Sequence, residues 1–182
     1  MPAGRLGRSW AQDPLLAAVR VLLSVFMAVT LVGGAVLALS VPTMPLWWPH
    51  VAPRLFERAG PLLSGDVAYM IGGIIALVAI IAVLAFYSLL LLRRLIDTVA
   101  GGDPFIPTNA ERLARMGWIA VLIQALAFPA DVLSNLIARA IRIPPADVGF
   151  SVGGILLALL LFVLARVFRE GTRMREDLEG TV

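Results

Sequence analysis

The chain contains no cysteine and no lysine, a single histidine, and only 15% charged residues. Without cysteine there can be no disulfide, no thiolate metal site and no Cys nucleophile, and the redox compartment is left undetermined. The lone histidine, His50, has no second histidine and no carboxylate pair at ligand spacing near it, so no metal site is expected. The carboxylates stand apart from any nucleophile or metal cluster, so neither enzymatic activity nor a cofactor is expected. Repeats, low-complexity tracts and long polar linkers are also missing, and the 182 residues read as one domain.

Apolar residues are what the chain has in excess: 60% hydrophobic and a mean hydropathy of +0.93. A soluble domain carries roughly 45–50% apolar residues, and a water-soluble fold could not hide this surplus. The fold class expected is all-α, an integral membrane bundle of four transmembrane helices. A helix needs about 20 apolar residues to cross the hydrocarbon core. Val21–Val41 and Val67–Leu92 are uncharged and long enough, and Val148–Ala165 is a slightly shorter run between Asp147 and Arg166. The weakest stretch starts at Met116; it contains Gln124 and Pro129, meets Asp131, and resumes as Val132–Ala138. With flanking residues the spans become about 17–41, 67–92, 116–138 and 148–168. Pro129 is expected to kink the third helix near one end, with Asp131, Ser134 and Asn135 at the interface or facing the protein interior.

Charge parity decides the weak span. All fifteen basic residues are arginine. Eleven lie in the N-terminal arm (Arg5, Arg8, Arg20), the middle connection (Arg93, Arg94, Arg112, Arg115) and the tail (Arg166, Arg169, Arg173, Arg175). The other two connections hold Arg54, Arg58, Arg139 and Arg142. Four crossings put the eleven on one side, which the positive-inside rule makes cytoplasmic, with both termini there. The pI near 10.5 has the same origin: no basic stripe with interleaved aromatics is present, so direct nucleic-acid binding is not expected. Arginines before an apolar run and the small residues at Ala38-Leu39-Ser40 raise a cleavable signal peptide, but the run exceeds the usual apolar region of 7–15 residues.

The connections differ in character. The first, Pro42 to Asp66, is proline-rich and carries Trp47 and Trp48, which read as interfacial anchors in preference to a ligand-stacking pair. The hairpin over residues 93–115 is more specific. Its first helix is expected to run on to about Ala100, where Gly101-Gly102 offers a stop and Asp103-Pro104 a turn. Thr108 with Glu111 has the spacing of a capping box, and Glu111 with Arg115 of an i,i+4 ion pair. Phe105 sits at the tip, where it either folds back onto the bundle or serves as a docking point for a partner or the tail. In the tail, residues 169–182, the pairs Arg166/Glu170, Arg173/Asp177 and Arg175/Glu179 favour a helical extension despite Gly171. Its acidic end (Glu176, Asp177, Glu179) is expected to meet Arg112 and Arg115 across the hairpin.

Glycine pairs carry one packing expectation. Gly33-Gly34, Gly72-Gly73 and Gly153-Gly154 each open a small-xxx-small pattern, and the orientation above puts all three in the outer half of the membrane. The bundle should be tight there and bulkier toward the cytoplasm. Homo-oligomerisation stays open.

Several stretches together resemble a known family: Leu92-Arg93-Arg94-Leu95-Ile96-Asp97-Thr98 through Gly102-Asp103-Pro104-Phe105; Asn109-Ala110-Glu111-Arg112-Leu113; Gly117-Trp118; and in the tail Arg169-Glu170-Gly171 with Asp177-Leu178-Glu179-Gly180-Thr181-Val182. They are similar to the bacterial four-span family known as domain of unknown function 2975. That family has no established activity, but its members are frequently encoded beside a small helix-turn-helix regulator. The resemblance implies a multi-pass protein of the bacterial inner (plasma) membrane and, by association only, the membrane component of a regulatory pair.

Beyond the lipid bilayer, the expected partner is therefore a small cytosolic helix-turn-helix regulator. It would bind at Asp103, Pro104, Phe105, Arg112, Arg115, Arg169 and Arg173. The alternative is a small transporter or a ligand- or lipid-sensing bundle. For that reading Asp131 is the one ionisable residue near the core, and it is expected nearer the outer interface beside Arg139 and Arg142.

Overall fold

A computed structural model describes residues 14–59, 66–141, 144 and 148–179. Arg5, Arg8, Arg142 and the end of the tail, 180–182, lie outside these residues, as do the side chains of Arg58 and Glu179. Among the described residues all regular structure is helical: α1 (Pro14–Ser40), α2 (Met44–Ala59), α3 (Asp66–Ala100), α4 (Pro107–Ile141) and α5 (Val152–Glu179). Four helices contain stretches long and apolar enough to cross a membrane, Ala17–Ser40, Val67–Ala100, Pro107–Arg139 and Val152–Asp177, as a multi-pass membrane protein requires. At 1.5 Å per residue the 35-residue α3 and α4 are roughly 50 Å long, well beyond a hydrocarbon core of about 30 Å, so both project out of the bilayer.

Three boundaries differ from the sequence expectation. The third span and the second arm of the hairpin are one continuous helix, α4, which runs through Pro129. The fourth span begins at Val152 and not at 148, because residues 148–151 are tied to α4. The first connection is largely a helix, α2, despite Pro49 and Pro53 inside it. The prolines at 45, 49 and 53 repeat every four residues and lie on the exposed face, so the carbonyls that lose their N–H partners face outward. The other face of α2 turns Met44, Trp47, Trp48 and Ala52 toward the protein. Trp47 Nε1 donates to the carbonyl of Ser40 at 3.0 Å, satisfying one of the orphan acceptors at the end of α1.

The long helices pack as a row of neighbours, α1 on α3, α3 on α4 and α4 on α5. Consequently α1 buries one stripe, Arg20, Leu23, Met27, Thr30, Gly34 and Leu37, at spacings of three and four, and exposes the rest. The central helix α4 buries Asn109, Leu113, Met116, Ala127, Ala130 and Ser134, and α5 answers with Ala158, Leu161, Ala165 and Thr172. The bulky core lies toward the hairpin, where Leu91, Leu113, Met116, Ile119 and Leu161 pack together with Ala165. Ion pairs from Arg20 to Asp97 and from Arg175 to Asp103 bring the beginnings of α1 and α4 and the ends of α3 and α5 to one end of the bundle, the hairpin end.

The six glycines do unlike things. At Gly34 a β-carbon would lie 3.1 Å from that of Ala82, marking a close α1–α3 approach, and at Gly72 it would meet Met44 Sδ at 3.3 Å. At Gly154 it would run into the Gln124 amide. Gly33 and Gly73 face open space, and Gly153 meets only its own Ser151 hydroxyl, 3.9 Å away.

Candidate functional site

The hairpin is a built turn. Gly102, at φ +86°, ends α3 in the left-handed conformation that glycine adopts without strain. Its N–H donates to the Val99 carbonyl at 3.1 Å and the N–H of Asp103 to the Thr98 carbonyl at 3.4 Å, the paired bonds of a Schellman ending. The next helix starts at Pro107, whose missing N–H is harmless in a first turn. Thr108 is therefore already inside α4, and the capping box with Glu111 gives way to a different device.

That device is Asn109, which is completely buried. Its amide nitrogen donates to the Thr98 hydroxyl at 2.8 Å and to the Pro104 carbonyl at 2.9 Å. Its amide oxygen accepts from an Arg112 guanidinium nitrogen at 2.9 Å, which also reaches the Arg94 carbonyl at 3.2 Å. The Thr98 hydroxyl donates onward to the Leu95 carbonyl at 2.6 Å. One amide thus joins the end of α3, the turn and the start of α4, and leaves neither of its own polar atoms unpaired. Buried polar groups left without partners cost about 1–3 kcal/mol each, so the closed network is favoured strongly over a partial one.

The tail closes onto this turn. Phe105 folds back onto α5: its ring lies 5.4 Å from that of Phe168 and covers Gly171, where a β-carbon would sit 2.7 Å from Phe105 Cδ1. Gly171, a liability to helix propensity, is the seat for that ring. Arg175 donates to Asp103, so hairpin and tail do meet, but through a basic tail residue on an acidic turn residue, the reverse of the expected polarity. Within α5, Glu170 pairs with Arg173 at 3.9 Å and not with Arg166. Glu111 pairs with Arg115 at 3.5 Å as the spacing predicts.

Of the residues expected to bind a partner, the structure gathers all seven at the hairpin end. Asp103, Pro104, Phe105 and Arg112 are spent on internal contacts. Arg115, Arg169 and Arg173 are exposed, with the Arg115 and Arg173 ion pairs lying in the open. Sequence reading missed Asn109, Thr98, Gly171 and Arg175. A signal for Asn109 existed: it stands in phase with Leu113 and Met116, a polar residue on the buried stripe of a helix.

At the opposite end a second clamp holds the α4–α5 connection. The two carboxylate oxygens of Asp131 accept the N–H groups of Val148 at 2.6 Å and Phe150 at 2.9 Å, flanking Gly149 at φ +108°. Gln124 Oε1 accepts the N–H of Ser151 at 3.0 Å, and the Ser151 hydroxyl caps α5 by accepting from Gly154 N–H at 3.1 Å. Asp131, the one ionisable residue suspected of marking a pathway, is therefore occupied in fixing a loop. Among the described residues no group of three His, Cys, Asp or Glu side chains lies close enough to hold a metal ion.

A family model described as a protein of unknown function (DUF2975) matches residues 12–182. No curated protein and no solved structure matches the chain.

Proposed function

We propose, for a chain that belongs to the DUF2975 family of proteins of unknown function, that it is the membrane component of a regulatory pair. In this reading it is a non-enzymatic protein of a bacterial plasma membrane. Its hairpin end faces the cytoplasm and there binds a small helix-turn-helix regulator, holding it away from DNA. The observation that carries the reading is the hairpin end itself. Beyond the apolar spans, the buried Asn109 network and the Phe105 clasp fix a charged surface that membrane anchoring alone does not require.

The contact surface in this reading is the exposed rim of Arg115, Arg169 and Arg173, and Arg112 braces it from within. Rim charges of this kind steer association and set its salt dependence more than they add affinity. A pathway role for Asp131 is disfavoured, since both its oxygens already accept backbone N–H groups. The inward excess of arginine supports the cytoplasmic assignment.

Affinity purification of the membrane-embedded chain from its native host tests the proposal, comparing wild type with Phe105→Ala and with the double reversal Arg169→Glu/Arg173→Glu. Recovery of a small helix-turn-helix protein that is lost in the charge reversal is the result expected. Equal recovery with both variants, or retention of a solute in place of any protein, would contradict it.

A further inference from the structure

Between α1 and α3, at the hairpin end, lies a cavity of about 350 Å³ lined by Arg20, Leu23, Ser24, Arg93 and Asp97. Its depth is defined by sequence: Arg20 immediately precedes the uncharged run Val21–Val41, and Arg93 immediately follows the uncharged run Val67–Leu92. The cavity therefore sits where both helices leave the hydrocarbon, at the level of lipid headgroups.

Its charge is not balanced internally. Two arginines face one carboxylate, and the only ion pair is Arg20 to Asp97 at 3.3 Å. Arg93 is exposed, and among the described residues no ion pair or hydrogen bond holds it. Arg20 Nε is shut off from solvent and meets no acceptor, a burial that an incoming oxygen would relieve. A guanidinium presents several donors in a planar fork suited to phosphate, and one salt bridge spends little of that capacity. Further along the same helix pair runs an almost wholly apolar crevice of about 290 Å³, lined by residues that include Gly34, Ala35, Ala82, Val83 and Phe86. At helical periodicity its α1 residues lie on the face that carries Arg20 and Ser24.

We propose that this α1–α3 cleft is a binding site for an anionic phospholipid, its phosphate taken by Arg20 and Arg93 and an acyl chain laid along the Gly34–Ala82 crevice. Asp97 orients Arg20 and leaves the site one net positive charge, which suits a phosphate diester with no compensating ammonium. The site is independent of the regulator-binding reading, since none of its residues belongs to the exposed rim.

Native mass spectrometry of the full-length protein in detergent, titrated with dioleoyl phosphatidylglycerol, dioleoyl phosphatidylcholine or inorganic phosphate, tests it. Phosphatidylglycerol should be retained in preference to phosphatidylcholine. Arg20→Gln and Arg93→Gln should each weaken that retention about fivefold, from a contribution of about one kilocalorie per arginine near a headgroup. Arg93 holds no ion pair that its loss would break, so Arg93→Gln reads the site even if Arg20→Gln unfolds α1. Ser24→Leu, which fills the cavity with its charges intact, should weaken retention as well, and Arg139→Gln at the opposite end should not. Equal retention of the two lipids, unchanged retention in Arg93→Gln and Ser24→Leu, or full displacement by millimolar inorganic phosphate would overturn the assignment.

Discussion

The two ends of α4 solve the same problem with different chemistry. At the hairpin end a neutral amide, Asn109, is fully buried and ties together α3, the turn and α4, and the tail then closes over the turn through Phe105 and Arg175. At the opposite end a charged group, Asp131, gathers two backbone N–H groups of one short loop, and Gln124 gathers a third. The opposite clamp fixes a connection between neighbours α4 and α5. The hairpin network fixes a surface built from several helices. The difference teaches where the molecule keeps a defined shape beyond the membrane, and that is the end to which a soluble partner would bind.

The largest effect should come from the buried amide. Asn109→Ala leaves Thr98, the Pro104 carbonyl and Arg112 without their partner, and a loss of about 3 kcal/mol is expected, read as a lower thermal midpoint in detergent. Asp131→Ala should come next, at about 1.5–3 kcal/mol per lost charge-assisted bond, with faster amide exchange confined to 148–151. Faster exchange spreading to the hairpin would break the separation of the two ends. Gly171→Leu should cost about 1–3 kcal/mol by overpacking against Phe105, and Phe105→Ala in the same chain should recover part of it. A simple sum of the two losses would show that the clasp is not formed. Glu111→Gln should move the midpoint least, because an exposed i,i+4 pair contributes about 0.3–0.5 kcal/mol.

Much of this comparison was legible in the residues. The apolar runs mark four crossings, the arginine parity brings both chain ends and the hairpin together, and Gly101-Gly102 stops α3 where expected. The rest depends on partners distant in sequence or on cancelled signals. Arg175 finds Asp103 across 72 positions, and Asp131 reaches a loop 17 to 19 positions away, so no local spacing reveals either. Nor does composition reveal α2, since three prolines argue against a helix until their fourfold spacing is seen to place them on one exposed face. Gly171 reads as a helix weakness until the ring that occupies it is in view.

The central claim is that the hairpin end meets a cytosolic regulator, so it requires that end to face the cytoplasm. Because the chain has no cysteine, single substitutions Thr108→Cys and Leu46→Cys, both at exposed positions, report sidedness without background. In intact cells a membrane-impermeant maleimide should label Leu46→Cys and leave Thr108→Cys untouched until the membrane is opened. Labelling of Thr108→Cys in sealed cells would place the hairpin outside and contradict the account.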